Sequence, residues 1–145
     1  MLAELQQVLR SEIPLTRHIG VSVDSYCDGE LTISAPLENN INHKCTAFGG
    51  SLYSVAVLSG WGLVYLLLKE QGLAGHIVIQ KSQVEYLLPV AETITATCAF
   101  KSEGQVSKFV KIYRRKGLAR ITLQSRILSE GKLAVLFSGD YVVHV

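Results

Sequence analysis

The stretch that decides the fold runs from Cys45 to Leu68 and reads CTAFGGSLYSVAVLSGWGLVYLLL, without a single charged residue. It predicts one long helix, roughly Gly49 to Gln71, that is apolar on every side and therefore has to be surrounded by the rest of the protein. Segments of alternating polarity follow it through most of the remaining chain. The sequence therefore predicts an α+β fold in which a curved antiparallel sheet wraps around one central helix.

The segments around this helix show the alternation that is typical of half-buried strands. An amphipathic helix over Met1–Arg10 is expected before two strands, Ile19–Tyr26 and Glu30–Leu37, with Asp28-Gly29 as the turn between them. Further strands are predicted over residues 76–88, 92–100, 119–127 and 132–144. A capping-box pattern at Ser102, with Gln105 three residues later, predicts a short basic helix between the middle two of these strands.

The composition fits a single domain over residues 1–145. With 48% hydrophobic and 18% charged residues, the chain is apolar enough to predict an oligomer interface in addition to a core. The net charge of +2 argues against nucleic-acid and membrane-surface partners. Three widely separated cysteines argue against a disulfide framework or a zinc site and favour the cytoplasm. No HExxH, P-loop or GxGxxG motif is present, so neither a metal nor a cofactor is expected.

The uncharged stretch is also long enough to cross a membrane. Its glycines and serines dilute its hydrophobicity, and no cluster of basic residues on one flank indicates a membrane orientation. The N-terminus lacks the basic start and apolar run of a secretion signal. We therefore favour a core helix over a membrane span.

The segment NHKCTAFGGSLYSVAVLSGW, Asn42–Trp61, resembles thioesterases of the hotdog fold, which carry an asparagine, a short spacer and then histidine-glycine-glycine at the start of the helix. Asn42, Gly49 and Gly50 match that pattern in type and spacing. Three further segments resemble the YiiD C-terminal type of thioesterase: VIQKSQVEYLLPV from Val78, RKGLARITLQS from Arg115 and FSGDYVV from Phe137. The resemblance covers nearly the whole chain, and it implies a hotdog domain that forms homodimers with two sites at the subunit interface. Whether the dimers pair further into tetramers is left open.

Two positions depart from the pattern of these thioesterases. Phe48 stands where they have the histidine, and Val57 stands where many of them have an aspartate or glutamate, seven residues after the second glycine. The usual catalytic carboxylate is therefore absent from its usual place. The implied fold is unaffected by this, but the catalytic chemistry is left open.

Thioester hydrolysis needs donors for the oxyanion and a group that activates or places water. The backbone N–H groups of Gly50 and Ser51 are the candidate donors, and Asn42 is the candidate for orienting the carbonyl or the water. Phe48 and Gly49 are expected to contact the substrate. The structural alternatives are that the glycines let the helix enter close to a strand and that Asn42 forms an Asx turn.

Two residues are candidates for a general base. His43 lies in the loop before the helix as one candidate, although a solvated loop histidine is the more common case. Glu85 lies late in a predicted strand, where parity groups it with Ile77 and Ile79 and places Ser82, a candidate substrate contact, on the other face. If Glu85 faces inward, it is the candidate to replace the missing helix carboxylate. A solvated or ion-paired Glu85 is the alternative, which we slightly favour.

Seven of the fourteen Lys and Arg residues lie between residues 101 and 120. The resemblance implies that basic groups such as Arg114 and Arg115 meet the phosphates of acyl-CoA, and an acidic acyl carrier protein is a further candidate for this segment. A solvated helix face is the structural alternative. A short patch without an exposed aromatic platform does not favour nucleic acid.

The resemblance implies a cofactor-free thioesterase that hydrolyses acyl-CoA or acyl-carrier-protein thioesters by direct attack of water. The missing helix carboxylate favours an alternative, a non-catalytic module that binds acyl thioesters or serves in assembly. A dehydratase is a weaker third option, because only His43 and Glu85 offer the histidine and the acid that such an enzyme needs.

Overall fold

The computed structural model describes every residue from Met1 to Val145. In chain order its helices and strands are α1 (Leu2–Glu12), α2 (Leu15–Ile19), β1 (Ser22–Cys27), β2 (Glu30–Ala35), α3 (Gly49–Glu70), β3 (His76–Tyr86), β4 (Ile94–Ala99), α4 (Glu103–Lys116), β5 (Leu118–Ser129) and β6 (Lys132–His144). A short 3-10 turn, Leu37–Asn39, lies in the loop before α3.

The six strands form one antiparallel sheet in the order β1-β2-β4-β5-β6-β3. The central helix α3 contacts five of these strands, from β2 to β6, so the sheet curves around it as the sequence predicts. α1 lies against β1 and α3. The two edges of the sheet are β1 and β3, and the edge formed by β3 is the one closest to the candidate site described below.

α3 is the core of the molecule. Its bounds agree with the prediction to within one residue, and side chains such as Val55, Leu63 and Leu66 are completely buried. The helix is long and apolar enough to cross a membrane, but 67% of its most apolar window is buried inside the protein. The uncharged stretch is therefore a core helix, as favoured from the sequence.

Buried hydroxyl groups attach α3 to the sheet. The phenol of Tyr141 on β6 donates to the Val57 carbonyl at 2.7 Å. The hydroxyls of Ser59 and Ser125 lie 2.6 Å apart, and both contact the Ala56 carbonyl, at 2.7 and 3.2 Å. Because a buried hydroxyl without a partner is costly, these contacts specify one rotation of the helix against the strands.

Gly60 marks the closest approach between α3 and β6. A Cβ atom at this position would lie 2.2 Å from the Tyr141 hydroxyl oxygen, a distance that no side chain can adopt. Both residues are buried, so neither can move aside into solvent. The glycine is therefore required by packing, whereas in the sequence it only dilutes the hydrophobicity of the helix.

The first predicted strand starts later than expected. Residues from Leu15 to Ile19 form α2, and only Ser22 begins β1. Gly20 ends α2 in the left-handed region with φ 78°, and the Thr16 hydroxyl ties α2 to α1 by contacting the Leu9 carbonyl at 2.9 Å. Alternation at three positions was too short a pattern to distinguish this helical turn from a strand.

The basic helix predicted between strands is confirmed as α4. The Ser102 hydroxyl accepts the backbone N–H of Gln105 at 3.1 Å, and Gly117 ends the helix with φ 68°. α4 lies close to the C-terminal end of α3, where the Tyr113 hydroxyl donates to the Ala74 carbonyl at 2.6 Å. It therefore covers the end of the sheet opposite to the start of α3.

Candidate active site at the start of the central helix

Two backbone amides at the start of α3 have no acceptor within the protein. Phe48 is the N-cap residue and supplies no side-chain cap, and the N–H groups of Gly49 and Gly50 make no hydrogen bond. The N–H of Ser51, expected from the sequence as the second donor, is bonded to the Phe48 carbonyl at 2.9 Å. The free donor pair is therefore Gly49 and Gly50, at the positive end of the helix dipole.

Two aromatic rings flank these free amides. A Cβ atom at Gly50 would lie 2.5 Å from the ring of Phe48, which is itself 58% exposed. From the other side, the Tyr86 hydroxyl donates to the Gly49 carbonyl at 2.9 Å. Partial burial, and secondly the neighbouring Tyr53, raise the pKa of the Tyr86 phenol, so it remains a protonated donor at neutral pH.

An apolar groove of about 260 Å³ opens beside the helix start. The groove is lined by Ala47, Gly49, Leu52, Tyr86, Leu87, Leu88 and Pro89. Leu87 and Leu88 remain 50% and 39% exposed and extend the apolar surface of the groove. An apolar groove next to unpaired N–H donors suits a ligand that combines an apolar chain with a carbonyl group.

Asn42 organises the loop that leads into α3. Its Oδ1 accepts the backbone N–H groups of Lys44 at 2.8 Å and Thr46 at 3.1 Å. Its Nδ2 donates to the Thr46 hydroxyl at 2.9 Å and makes a longer contact of 3.5 Å to the Ala47 carbonyl. The side chain therefore forms the Asx turn that the sequence left as the alternative, and only its weakly held amide hydrogen is free for a ligand.

A hydroxyl pair lies on the inner face of β3, near the first turns of α3. The Ser82 hydroxyl and the Tyr53 phenol are 2.5 Å apart, and both residues are half-buried. The Tyr53 ring also meets Phe137 edge-on, with 5.6 Å between ring centroids. Tyr53 follows Gly49 by four residues, about one helical turn, so its backbone lies roughly 6 Å further along the helix than the first free amide.

Ser82 faces the helix and Glu85 does not, and the parity predicted for this strand is wrong. The register between β3 and β6 shifts between Ile79 and Lys81. A bulge of this kind adds one residue and reverses the alternation beyond it. Ser82 therefore shares the inner face with Ile77 and Ile79, and Glu85 is exposed on the outer face.

The other polar candidates do not converge on the free amides. His43 is exposed in the loop before α3. Val57, at the position of the usual carboxylate, lines a second apolar groove of about 210 Å³ together with Tyr53 and Trp61. No Asp, Glu or His residue lines either groove, so the groups available near the helix start are hydroxyls and backbone amides.

Arg114 and Arg115 lie at the opposite end of α3 from the candidate site. Arg114 donates to the Gln71 carbonyl at 3.1 Å, and Arg115 is exposed on α4. A helix rises about 30 Å between Gly50 and Gln71. Within one protomer, the structure therefore does not bring these arginines together with the glycines, Asn42 and Ser82.

Tyr53 and Tyr86 are site residues that the sequence reasoning missed. Tyr53 belongs to the uncharged stretch and looks like one more core residue of α3. Tyr86 ends a strand whose parity was misassigned because of the bulge. A signal was present in both cases: a phenol inside an otherwise apolar segment needs a hydrogen-bond partner, and the partners are Ser82 and the Gly49 carbonyl.

Solved structures with the same architecture are found among bacterial proteins. A protein of unknown function from Chlorobaculum tepidum is 36% identical, with a TM-score of 0.94 over 98% of this chain and 93% of that one. A "putative thioesterase" from Shewanella oneidensis is 32% identical, with a TM-score of 0.87 over 99% and 97% of the two chains. A thioesterase from Haemophilus influenzae shares the fold at 18% identity, with a TM-score of 0.76 over 99% and 90%. The fold and these neighbours define the class: a thioesterase of the hotdog fold.

The family follows from the sequence model that matches the chain. The model described as "Putative thioesterase (yiiD_Cterm)" matches residues 2–145. The chain belongs to this thioesterase family, as the resemblance of its motifs implied. Its class is therefore that of thioester hydrolases.

Proposed function

We propose that this protein hydrolyses acyl thioesters, with acyl-CoA or acyl carrier protein as the group that carries the acyl chain. One observation carries the proposal: two amides without an acceptor, Gly49 and Gly50, lie beside an apolar groove at the start of a buried helix. The amides suit the carbonyl oxygen of the substrate, and the groove suits its acyl chain.

The proposed reaction is direct attack of water on the carbonyl carbon. The electron pair of the C=O bond moves to oxygen, and the Gly49 and Gly50 N–H groups hold the resulting negative charge. When this oxyanion collapses, the C–S bond breaks, the sulfur takes a proton that came from the water, and the acyl group leaves as a carboxylic acid. The hydroxyls of Tyr53 and Ser82 position the attacking water. Each N–H donor that is already oriented toward the oxyanion raises the rate on the order of a hundredfold.

The assembly that we propose is a homodimer formed through β3. This strand of 11 residues is an edge of the sheet, so one side of its backbone has no partner. Beside it, a crevice of about 720 Å³ is lined by α1, α3 and the start of β3, including the stacked rings of Trp61 and Tyr65. A second copy that pairs along β3 would cover the edge and the crevice together.

A cytoplasmic location is part of the proposal. All three cysteines are free; Cys27 and Cys45 are exposed, and Cys98 is buried. Burial raises the pKa of the Cys98 thiol to about 11, so this thiol is protonated and inert at neutral pH. Exposed free thiols fit a reducing compartment.

The function is tested by thiol release from a series of acyl-CoA and acyl-carrier-protein thioesters with medium and long chains. We expect release of free thiol together with the carboxylic acid. Because Cys27 and Cys45 are exposed, a blank without substrate has to be subtracted when a thiol reagent is used. Absence of release from the whole series would contradict the hydrolase proposal.

Because the bulge places Ser82 and Glu85 on opposite faces of β3, substitutions of these two residues are expected to differ in their effect on activity. Ser82→Ala removes the inner hydroxyl and is expected to lower kcat, because the attacking water loses one of its two contacts. Glu85→Gln changes the outer face only and is expected to leave kcat and KM unchanged. The two variants are compared on the same acyl-CoA substrate. An equal loss in both would mean that Glu85 takes part in the reaction.

Two substitutions of Asn42 distinguish a role in holding the loop from a role in binding the substrate. Asn42→Ala removes every contact of the side chain and is expected to lower both activity and stability, the latter by about 1–2 kcal/mol. Asn42→Asp retains the oxygen that accepts the two backbone N–H groups, so it is expected to preserve the loop and most of the activity. Thermal unfolding and kcat are measured for both. If Asn42→Asp is as inactive as Asn42→Ala although it is stable, Asn42 acts on the substrate through its amide instead.

A second function is favoured by one observation, the absence of any carboxylate or imidazole from the groove beside Tyr86 and from the groove lined by Val57. Under this alternative, the protein binds acyl thioesters without hydrolysing them. It would then bind a ketone analogue of octanoyl-CoA, yet release no thiol from octanoyl-CoA itself. A dehydratase would lack its catalytic acid, because Glu85, the candidate for that role, is exposed on the outer face of the sheet.

A further inference from the structure

The connection between β4 and β5 carries an unbalanced positive charge. Antiparallel neighbours are usually joined by a loop of 2–5 residues, but here the whole of α4 is inserted. Between residues 101 and 120 there are seven Lys and Arg side chains and one carboxylate, Glu103, which gives this segment a net charge of +6. The rest of the chain holds seven of the fourteen basic residues and eleven of the twelve acidic ones, a net charge of −4.

This charge is concentrated on the outward face of α4. Lys108, Lys111 and Arg115 follow the spacing i, i+3, i+7 and are all exposed, whereas Phe109 and Tyr113 face inward and are buried. The protein contains one ion pair, between Lys69 and Glu4, so no carboxylate neutralises a basic residue of α4. The face formed by Lys108, Lys111 and Arg115 is therefore an exposed, uncompensated cationic surface.

We propose that this face of α4 docks an acidic protein domain, namely a carrier that bears the acyl thioester on a pantetheine arm. The inference rests on the proposed function and specifies the substrate class of that site. Electrostatic complementarity of this kind accelerates encounter and selects the partner. In a dimer paired through antiparallel β3 strands, the two α3 helices run in opposite directions. α4 then lies toward the helix start of the partner protomer, which is the site that the arm of a docked carrier enters.

The shape of the face favours a protein over other anions. No residue of α4 lines the grooves beside α3, so none of these cations meets a nucleotide bound in one of those grooves. The aromatic residues of α4, Phe109 and Tyr113, are buried and cannot stack on bases. No large apolar side chain of α4 is exposed for insertion into a membrane. A convex row of cations about 10 Å long fits an acidic helix on another protein.

The test is charge reversal in the full-length protein, with the triple variant Lys108→Glu, Lys111→Glu and Arg115→Glu. A matched control, Arg10→Glu, Arg126→Glu and Lys132→Glu, changes the net charge by the same amount at exposed positions away from α4. Three substrates with one acyl chain are compared: octanoylated acyl carrier protein, octanoyl-CoA and S-octanoyl pantetheine. We expect KM for the carrier substrate to rise roughly tenfold or more in the α4 variant at low salt, with kcat unchanged. The control variant and the pantetheine substrate are expected to show no change.

The other outcomes decide against the docking proposal or against the hydrolase. A rise of KM for octanoyl-CoA equal to that for the carrier would make α4 a phosphate-binding surface and overturn the proposal. An unchanged KM for the carrier would also overturn it. If the unaltered protein hydrolyses none of the three, the hydrolase proposal fails, and docking is then judged by calorimetric titration with octanoylated carrier. If the carrier binds the α4 variant more weakly than the unaltered protein, docking is supported. If it binds both equally, docking is contradicted. Tighter binding of the unaltered protein to anionic vesicles or to DNA than to the carrier also contradicts it.

Discussion

Gly50→Pro is expected to lower kcat for acyl-CoA on the order of a hundredfold relative to Gly50→Ala. Both substitutions add a Cβ atom that would lie 2.5 Å from the Phe48 ring, and this exposed ring can turn away in either case. Only proline removes the backbone N–H. Because that N–H has no acceptor in the protein, its loss breaks no hydrogen bond of the helix. Proline is also tolerated in the first helical turn.

The comparison of the two variants isolates the oxyanion donor. Their thermal unfolding is measured first and is expected to differ little, because the helix starts in the same way in both. The kinetic difference is expected in kcat, since the N–H binds the charge that develops in the transition state. Equal activity of the proline and alanine variants would show that the Gly50 amide is not an oxyanion donor.

Gly60→Ala is expected to lower the free energy of unfolding by about 3 kcal/mol or more. The new methyl group would lie 2.2 Å from the Tyr141 hydroxyl oxygen, in a region where both residues are buried. Relief requires either a shift of α3 against β6 or rotation of the tyrosine, and the latter breaks its 2.7 Å hydrogen bond to the Val57 carbonyl. This loss is a large fraction of the stability of a typical domain.

Urea unfolding at one fixed protein concentration measures the effect, since association with a second copy would otherwise shift the midpoint. The matched control is Gly104→Ala, also in a helix, where the nearest neighbour of the new Cβ is the Ser102 hydroxyl at an ordinary 3.7 Å. This control is expected to be neutral or to stabilise by about 0.5 kcal/mol, because alanine restricts the unfolded chain. If Gly60→Ala is as stable as the control, α3 and β6 do not approach each other as described.

The fold could be predicted from the sequence because its strongest signals are local. An uncharged helix between Lys44 and Lys69 requires a protein shell, and this single requirement implies the wrapped sheet. α4 was also predictable, because the capping residue Ser102 and the terminal Gly117 are recognisable by type and position. Where the alternation was brief, as at Ile19 and Val21, a helical turn and a strand could not be told apart.

The site was less predictable because it depends on geometry at the scale of one residue. The bulge between Ile79 and Lys81 is marked in the sequence only by a change in which positions are apolar, odd before it and even after it, and it exchanges the faces of Ser82 and Glu85. The amides without an acceptor lie one position earlier than the sequence predicted, because the tight turn that bonds Ser51 to the Phe48 carbonyl is invisible in the sequence. Asn42 matched the residue type of a catalytic motif, while its contacts are those of a loop.

The most direct measurement of the central claim is the amide spectrum of ¹⁵N-labelled protein, titrated with a non-hydrolysable ketone analogue of octanoyl-CoA. Its carbonyl oxygen occupies the place of the thioester oxygen without reacting. We predict that the largest downfield proton shifts occur at the amides of Gly49 and Gly50, which gain an acceptor they lack in the free protein. Saturable binding that leaves both glycine amides unshifted would contradict the assignment of the helix start as the site that holds the substrate carbonyl.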